Sequence, residues 1–151
     1  MLVTKVADEE NVWRSVKDER ICHSVKEGRL KLSASTFNDP EWKPSVDRVC
    51  LTDGDAAKSC KQPEAGVVQL EAEAVRQIKL ATKDKKGNDA LSHDVDVQHD
   101  PLRENQAHAK VVTAPHVLSE GAFIRLKEAL CRIAERHGWV IPPASVRRGG
   151  H

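Results

Sequence analysis

Residues 119–137 carry the pattern that most limits how this chain can fold. Apolar side chains recur there every three or four residues, and charged side chains occupy the opposite side. Ser119 precedes the pattern as an N-cap, and Gly138 follows it as a residue suited to a helix C-terminus. The segment therefore predicts an amphipathic helix that must bury one face. That face contains Ala122, Phe123, Leu126, Ala129, Leu130, Ile133 and Ala134.

Short segments with alternating apolar and polar residues precede this helix, and turn residues such as Gly28 and the pair Asp100 and Pro101 separate them. No helix of the βαβ type lies between them. We therefore expect an α+β fold, a single domain with a mainly antiparallel sheet of about five strands and the C-terminal amphipathic helix packed on one face. The predicted strands are 11–17, 30–34, 46–51, a short strand that begins at Val95 and is ended by Asp100 and Pro101, and a strand that starts with 107–112; a further short segment lies at 139–141.

Residues 68–80 fit two periods. Their even positions are apolar except for Arg76, which favours one long and bent strand. Leu70, Ala74 and Ile78 also recur every four residues, and the Ala and Glu content favours a helix. We prefer the strand and keep the helix as the alternative. A turn is predicted at 83–88, and Asp53, Gly54 and Asp55 are expected to cap a short helix that runs to Cys60.

The length of 151 residues is that of one domain, and a chain of this mass can bury close to 70% of its surface. We assign residues 1–143 to a single α+β domain and expect 144–151 to be a flexible C-terminal tail. The tail ends in Arg147, Arg148 and a Gly-Gly-His sequence, which superficially resembles the tail of a ubiquitin-like modifier. A solvated chain end is the preferred interpretation.

The net charge and the aromatic content limit the classes of partner that we expect this chain to bind. The chain has 24 basic and 23 acidic residues, so its net charge of +1 creates no general attraction for nucleic acid or an anionic membrane. Three Trp, two Phe and no Tyr leave few surfaces for base stacking. No run of eighteen apolar residues is present, so we expect no membrane association. A basic cluster at Arg125, Lys127, Arg132, Arg136, Arg147 and Arg148 keeps nucleic-acid binding as a disfavoured alternative to a solvated helix face.

Four cysteines, Cys22, Cys50, Cys60 and Cys131, lie far apart and form no CxxC pair. The first ten residues lack the charged and apolar regions of a secretory signal. The sequence therefore predicts reduced thiols and a cytoplasmic location.

His93 and His99 are the candidate metal ligands, because Asp94, Asp96 and Asp100 lie beside them in the sequence. Carboxylates and imidazoles could hold a divalent ion weakly, but the spacing matches no structural or catalytic zinc motif. A solvated acidic segment is preferred. We predict no metal site and no cofactor.

The sharper candidate site contains Arg14, Ser35 and His108. A guanidinium fixed on a strand can bind a phosphate or carboxylate through two hydrogen bonds. Ser35 follows another predicted strand, and small residues flank His108, whose imidazole could act as a general acid or base. These three are the predicted catalytic residues. In the competing interpretation, Arg14 pairs with an acidic neighbour and His108 donates to a backbone carbonyl.

Five short stretches of the chain form a recognisable set: Trp13-Arg14, Ser35-Thr36-Phe37-Asn38-Asp39, Pro44-Ser45-Val46-Asp47-Arg48, Asp100-Pro101 and Asn105-Gln106-Ala107-His108-Ala109. Together they resemble a group of short bacterial proteins that have no established activity. The resemblance runs from about Val12 to Pro143, and this chain departs from it by a longer stretch at 81–93. It implies a small bacterial cytoplasmic domain and carries over no catalytic role.

No phosphate loop, nucleophile elbow or other catalytic motif is present in the sequence. We therefore expect a non-enzymatic binding or accessory module with an unidentified protein partner. The alternative is a small enzyme that acts on a phosphate-bearing or NAD-like ligand through Arg14 and His108.

Overall fold

Seven antiparallel strands form one twisted sheet in the computed structural model, which describes residues 4–19, 22–26 and 29–148. The order is β6-β7-β8-β4-β1-β5-β9, and β2 and β3 form a separate hairpin. The α+β class with a C-terminal helix is confirmed, whereas the expected count of about five strands is wrong. The strands are β1 Asn11–Val16, β2 His23–Lys26, β3 Arg29–Leu32, β4 Ser45–Arg48, β5 Gly66–Glu71, β6 Leu80–Lys83, β7 Asp89–His99, β8 His108–Ala114 and β9 Trp139–Ile141. The helices are α1 Ala72–Arg76, α2 Glu120–His137 and α3 Ala144–Arg148.

The predicted amphipathic helix is α2, and both of its ends match the sequence. The Ser119 hydroxyl accepts a hydrogen bond from the Ala122 N–H at 3.0 Å, which satisfies one of the free donors in the first turn. Gly138 ends the helix at φ +84°, a backbone conformation that residues other than Gly rarely adopt. The buried residues of α2 are Ala122, Phe123, Leu126, Leu130, Cys131, Ile133 and Ala134.

The hairpin of β2 and β3 is held against α2 by polar contacts. The Leu32 N–H donates to the Glu135 carboxylate at 2.7 Å, and the Arg132 guanidinium donates to the Leu32 carbonyl at 3.2 Å. Cys131, which the apolar pattern did not include, donates through its thiol to the Ser33 carbonyl. These contacts attach the hairpin, which lies outside the main sheet, to α2.

The long strand predicted over 68–80 is wrong, because the chain leaves the sheet at Ala72 and forms the single-turn helix α1. The Ala72 N–H donates to the carbonyl of Glu10, and the Glu73 N–H donates to the carbonyl of Asp8. Both acceptors lie in the segment before β1. The ladder between β5 and β1 therefore ends at the pair of Glu71 and Asn11. The helical period of this stretch therefore applies to five residues only, and β6 begins a new strand after them.

Several predicted strands have different bounds in the structure. Strand β7 extends from 89 to 99, because the predicted turn at 83–88 joins it to β6 as a hairpin. Residues 34–37 and 49–51 form 3₁₀ turns where the sequence predicted the ends of strands. The predicted short helix is confirmed as a 3₁₀ turn over Ala56–Ser59, capped by the Asp55 carboxylate. The turn at Gly28 lies outside the described residues, as do 149–151 of the predicted tail.

Register across the sheet determines which side chains share a face, because residues paired on adjacent antiparallel strands point the same way. Val12 and Val68 lie on the face that α2 covers, and the main core sits between them and the helix. Trp13 pairs with Asp47, and Asp47 pairs with His108, so these three lie on the opposite face. Arg14 follows Trp13 along β1 and therefore points to the α2 side.

Residues 144–148, assigned from the sequence to the tail, form helix α3. The Ser145 N–H and hydroxyl both donate to the carboxylate of Asp18, and the Ala144 N–H donates to the carbonyl of Glu64. These bonds attach α3 to the loops that follow β1 and precede β5.

Within the described ranges, no helix combines the length and the apolar character needed to cross a bilayer.

Candidate functional site

Strands β1 and β4 are paired for a short distance and then separate. Paired residues are Val12 with Arg48 and Trp13 with Asp47, and no further pair joins the two strands although both continue. A cavity of about 280 Å³ occupies the gap. This opening in the middle of the sheet is the candidate site.

The cavity is lined by side chains from both faces of the sheet, because it lies where two central strands separate. The β1 and β4 residues that line it are Trp13, Arg14, Ser15, Ser45, Val46 and Asp47. Loops on the two sides complete the lining with Lys17, Glu19, Cys22, Ser35, Thr36, Asn38, Ser59, Lys61, Gln62 and Ala65.

Arg14 spans the gap between the strands. Its Nε donates to the Thr36 carbonyl at 3.1 Å, one terminal nitrogen donates to the Ser45 carbonyl at 2.8 Å, and the other to the Asn38 carbonyl at 2.9 Å. The Phe37 ring lies 5.7 Å from the guanidinium carbon. Arg14 thus connects β1 to the start of β4 and to the 3₁₀ turn over 34–37, where backbone pairing is missing.

The positive charge of Arg14 is not neutralised by a carboxylate in direct contact. No ion pair to Arg14 occurs within the described part of the chain, so the predicted pairing with an acidic neighbour is replaced by three main-chain carbonyls. Burial lowers the pKa of Arg14, and the negative charge of Asp39 offsets part of this effect. A guanidinium carries five N–H donors, and the three hydrogen bonds leave two of them unused.

Ser35 lines the same cavity as Arg14, so the structure brings these two predicted site residues together. Ser35 lies in the 3₁₀ turn over Ala34–Phe37 that also supplies one of the carbonyls bound by Arg14. A second hydroxyl in this turn, that of Thr36, donates to the Cys22 carbonyl at 2.9 Å. This bond fixes the turn against the loop before β2.

His108 lies on the other face of the sheet and is not among the described residues that line the cavity. Its side chain is buried, and Nδ1 lies 2.7 Å from the Asp100 carbonyl, to which it donates. This bond matches the competing interpretation from the sequence, in which His108 donates to a backbone carbonyl. The carboxylate of Asp100 lies 3.4 Å from the same nitrogen. Arg14 and His108 therefore lie on opposite faces of the sheet, and of the two only Arg14 lines the cavity.

Ser59 is a lining residue that the sequence did not single out. Its residue exposure is 1%, and its hydroxyl has no hydrogen-bond partner in the described part of the molecule. A buried hydroxyl without a partner costs free energy, so such groups are uncommon unless a water or a ligand satisfies them. Nothing local in the sequence marks Ser59, because its place beside the cavity depends on how residues 53–60 fold back against β1.

The lining carries charges of both signs. Lys17 and Lys61 are basic, and Glu19 is acidic. Asp47 is 5% exposed and accepts a hydrogen bond from the Asn105 amide at 2.8 Å, so its charge is already engaged by the fold. The Lys61 N–H donates to the Ser15 hydroxyl, which leaves that hydroxyl proton free for another acceptor.

Of the two histidines considered as metal ligands, His93 has structural partners, whereas the buried Nδ1 of His99 has no hydrogen-bond partner among the described residues. His93 is buried, and its two ring nitrogens lie 2.8 Å from the Pro115 carbonyl and 2.8 Å from the Thr82 hydroxyl. Asp96 is bound by the Arg76 guanidinium at 2.7 Å. Across the described ranges, no group of three or more His, Cys, Asp or Glu side chains is arranged to hold a metal ion.

Comparisons of this chain with protein-family models, with curated proteins and with solved structures find no match.

Proposed function

We propose that this protein is a small cytoplasmic binding module that holds a small-molecule ligand in the cavity between β1 and β4. The observation that carries this proposal is the separation of two central strands after Trp13 and Asp47, with a cavity in the gap. Natural sheets pair their inner strands because unpaired backbone groups are costly. A gap in the centre of a sheet therefore favours a binding function over a purely structural one.

The size of the cavity favours a small ligand. Pockets for drug-sized molecules have volumes of roughly 300–1,000 Å³. The cavity here, at about 280 Å³, lies just below that range. This volume supports a compact metabolite rather than a dinucleotide such as NAD.

A catalytic role through Arg14, Ser35 and His108 has less support. Acid or base catalysis requires the titrating group within hydrogen-bond reach of the reacting atom. Arg14 and Ser35 share the cavity, but His108 points from the opposite face of the sheet and is bonded to the carbonyl of Asp100. Binding without catalysis is therefore the function we propose, and a protein partner that uses the liganded form is compatible with it.

A ligand screen with a cavity-blocking variant tests the proposal. Nucleotides, small phosphates, carboxylates, sugars and amines are screened by thermal shift, with the indole signal of Trp13 followed by NMR. A ligand at 100 times its Kd adds about 2.7 kcal/mol to the free energy of unfolding. We expect a hit that moves the Trp13 signal, disappears in Ser35→Leu and persists in Ser24→Leu, where the same change falls on an exposed residue of β2.

Two results would overturn the binding function. One is a screen in which no compound moves the Trp13 indole signal. The other is a hit whose affinity is the same in Ser35→Leu as in the wild type, because that ligand would bind outside the cavity.

A further inference from the structure

We propose that the ligand of the cavity carries a phosphate group, held by the Arg14 guanidinium together with hydroxyl groups of the lining. This inference rests on the proposed binding function and adds the chemical class of the ligand. It depends on three separate features: an incompletely used guanidinium, an unpartnered buried hydroxyl, and further hydroxyl groups around the same opening.

The first feature is the unused capacity of Arg14. Three of its five N–H groups are donated to the carbonyls of Thr36, Asn38 and Ser45. These bonds hold the guanidinium in one orientation, and one N–H remains on each terminal nitrogen. A rigid guanidinium with two available donors matches the oxygens of an oxyanion, and its fixed position lowers the entropy lost on binding.

The charge of Arg14 supports the same class of ligand. Main-chain carbonyls stabilise the guanidinium only as dipoles, and no carboxylate among the described residues is in ion-pair contact with it. Burial of a cation that is only partly compensated, by the more distant Asp39, is unfavourable, and the pKa of Arg14 is lowered accordingly. An anion that enters the cavity would supply the missing negative charge.

The second feature is the hydroxyl of Ser59. It is buried, unpartnered and part of the cavity lining. A ligand oxygen in the cavity would accept its proton and remove the cost of the unsatisfied group. Because Ser59 and Arg14 line the same cavity, one ligand in it would use both.

The number of hydroxyl groups in the lining favours a phosphate ligand over a carboxylate ligand. The two oxygens of a carboxylate are satisfied by the two free N–H groups of Arg14 alone. A phosphate monoester has three terminal oxygens and accepts further donors. Such donors are available from Ser15, whose proton is free, and from Ser35 and Ser59 in the same lining. Lys17 and Lys61 add positive charge to the opening, opposed by Glu19 and by Asp47, whose carboxylate accepts a hydrogen bond from Asn105.

Three compounds with the same carbon skeleton test the assignment: glycerol 3-phosphate, glycerate and glycerol. Inorganic phosphate is added as a fourth probe. Binding is measured by NMR titration of the Trp13 indole, with the Trp42 indole as an internal reference outside the lining. We expect the phosphate ester to bind at least about tenfold more tightly than glycerate, and glycerol to show no saturable shift.

Two conservative variants connect the binding to the named groups. Arg14→Lys retains the positive charge but loses the planar arrangement of donors, and we expect at least about tenfold weaker phosphate binding. Ser59→Ala removes a hydroxyl that has no partner in the free protein. We expect its Tm to equal or exceed that of the wild type, while phosphate binding weakens about threefold to tenfold. Lys31→Gln removes one charge from an exposed residue of β3 outside the lining, and this control should bind phosphate as tightly as the wild type.

The failures of the two proposals are distinguishable. If a glycerate-type or neutral compound binds in the cavity more tightly than the phosphate ester, the ligand class is wrong and the binding function stands. If phosphate binds without moving the Trp13 signal, or with equal affinity in Arg14→Lys and Ser59→Ala, the phosphate assignment is also wrong. If no compound from the full screen reaches the cavity, the binding function itself is overturned.

Discussion

Arg48 is fully buried, and its guanidinium donates two hydrogen bonds, of 2.8 and 2.7 Å, to the carboxylate of Glu10. Glu10 precedes β1, and Arg48 is the last residue of β4. The same guanidinium also donates to the Lys5 carbonyl at 3.2 Å. The pair therefore attaches the N-terminal segment to the sheet at the end opposite to the cavity, where β1 and β4 remain paired.

Replacing Glu10 tests how strongly the domain depends on this pair. Glu10→Gln leaves a buried guanidinium without its counter-charge, and we expect the free energy of unfolding to fall by about 3–5 kcal/mol. Glu9→Gln, the same change at the exposed neighbouring residue, is expected to alter it by less than about 0.5 kcal/mol. Urea unfolding at pH 7 measures both. Equal effects of the two variants would show that the pair contributes nothing beyond an exposed charge.

The same pair predicts a pH dependence of stability. Burial acts to raise the pKa of Glu10, but hydrogen bonds from Arg48, Cys50 and the Ala7 N–H outweigh it and lower the pKa from 4.5 to about 2. A lowered pKa in the folded state gives stability that is complete above pH 4.5 and is lost as the pH falls through 2. The loss is at most about 3 kcal/mol.

The measurement compares urea unfolding of the wild type and of Glu10→Gln at several pH values from 7 to 2.5. Other carboxylates titrate in both proteins, so the difference between their free energies of unfolding isolates Glu10. We expect this difference to be constant above pH 5 and to shrink below pH 4.5. A difference that stays constant down to pH 2.5 would contradict the lowered pKa.

The buried face of α2 predicts the cost of truncating its core residues. Leu130 is 0% exposed, and we expect Leu130→Ala to lower the free energy of unfolding by about 2–5 kcal/mol. Glu128→Ala, two residues earlier on the exposed side, should change it by less than about 0.5 kcal/mol. Arg125 is an unsuitable control, because its guanidinium donates to the Ala81 carbonyl on β6. Equal small effects of the two Ala variants would mean that the helix packs through another face.

The four cysteines are free in the structure, and they differ in exposure. Burial raises the pKa of Cys131 to about 12, and its residue exposure is 0%. Cys22 is also buried, and burial raises its pKa. We expect Cys22 and Cys131 to resist a thiol reagent in the native protein and all four thiols to react in denaturant. Mass spectrometry of each site provides the measurement, and rapid native labelling of Cys131 would contradict it.

Arg14 is expected to contribute to stability as well as to binding. Arg14→Ala leaves the carbonyls of Thr36, Asn38 and Ser45 without their donor, which should cost about 2–4 kcal/mol of unfolding free energy. Lys17→Ala, an exposed cation beside the same cavity, should cost less than about 0.5 kcal/mol. Chemical unfolding of both variants tests this. An Arg14→Ala protein as stable as the wild type would mean that Arg14 acts on a ligand alone.

Part of the candidate site was predictable from local sequence. Arg14 follows an apolar residue on a clear strand, and a guanidinium in that place is unusual enough to be noticed. Ser35 was found because it lies near the end of a predicted strand. His108 was grouped with them because its neighbours are small, but strand register decides which face a residue occupies, and register is not visible in one strand alone.

Local periodicity determined the elements that satisfy their own requirements within a few residues. Helix α2 carries its cap at Ser119, its ending at Gly138 and a complete apolar face, so its position follows from the sequence. The alternating pattern of β1 and the turn residues at 83–88 are also visible within a few residues. The caps of α2 and the turn depend on contacts between residues close in the chain, whereas the partners of β1 do not follow from its own pattern.

Tertiary structure decided the rest, because it depends on partners far away in the chain. The segment 68–80 satisfies two periods, and hydrogen bonds from Ala72 and Glu73 to the segment before β1 select a helical turn at its centre. The separation of β1 from β4, the placement of Ser59 beside Arg14's cavity and the position of His108 on the other face all depend on strand pairing. Pairing is a relation between distant segments, so no single segment of the sequence contains it.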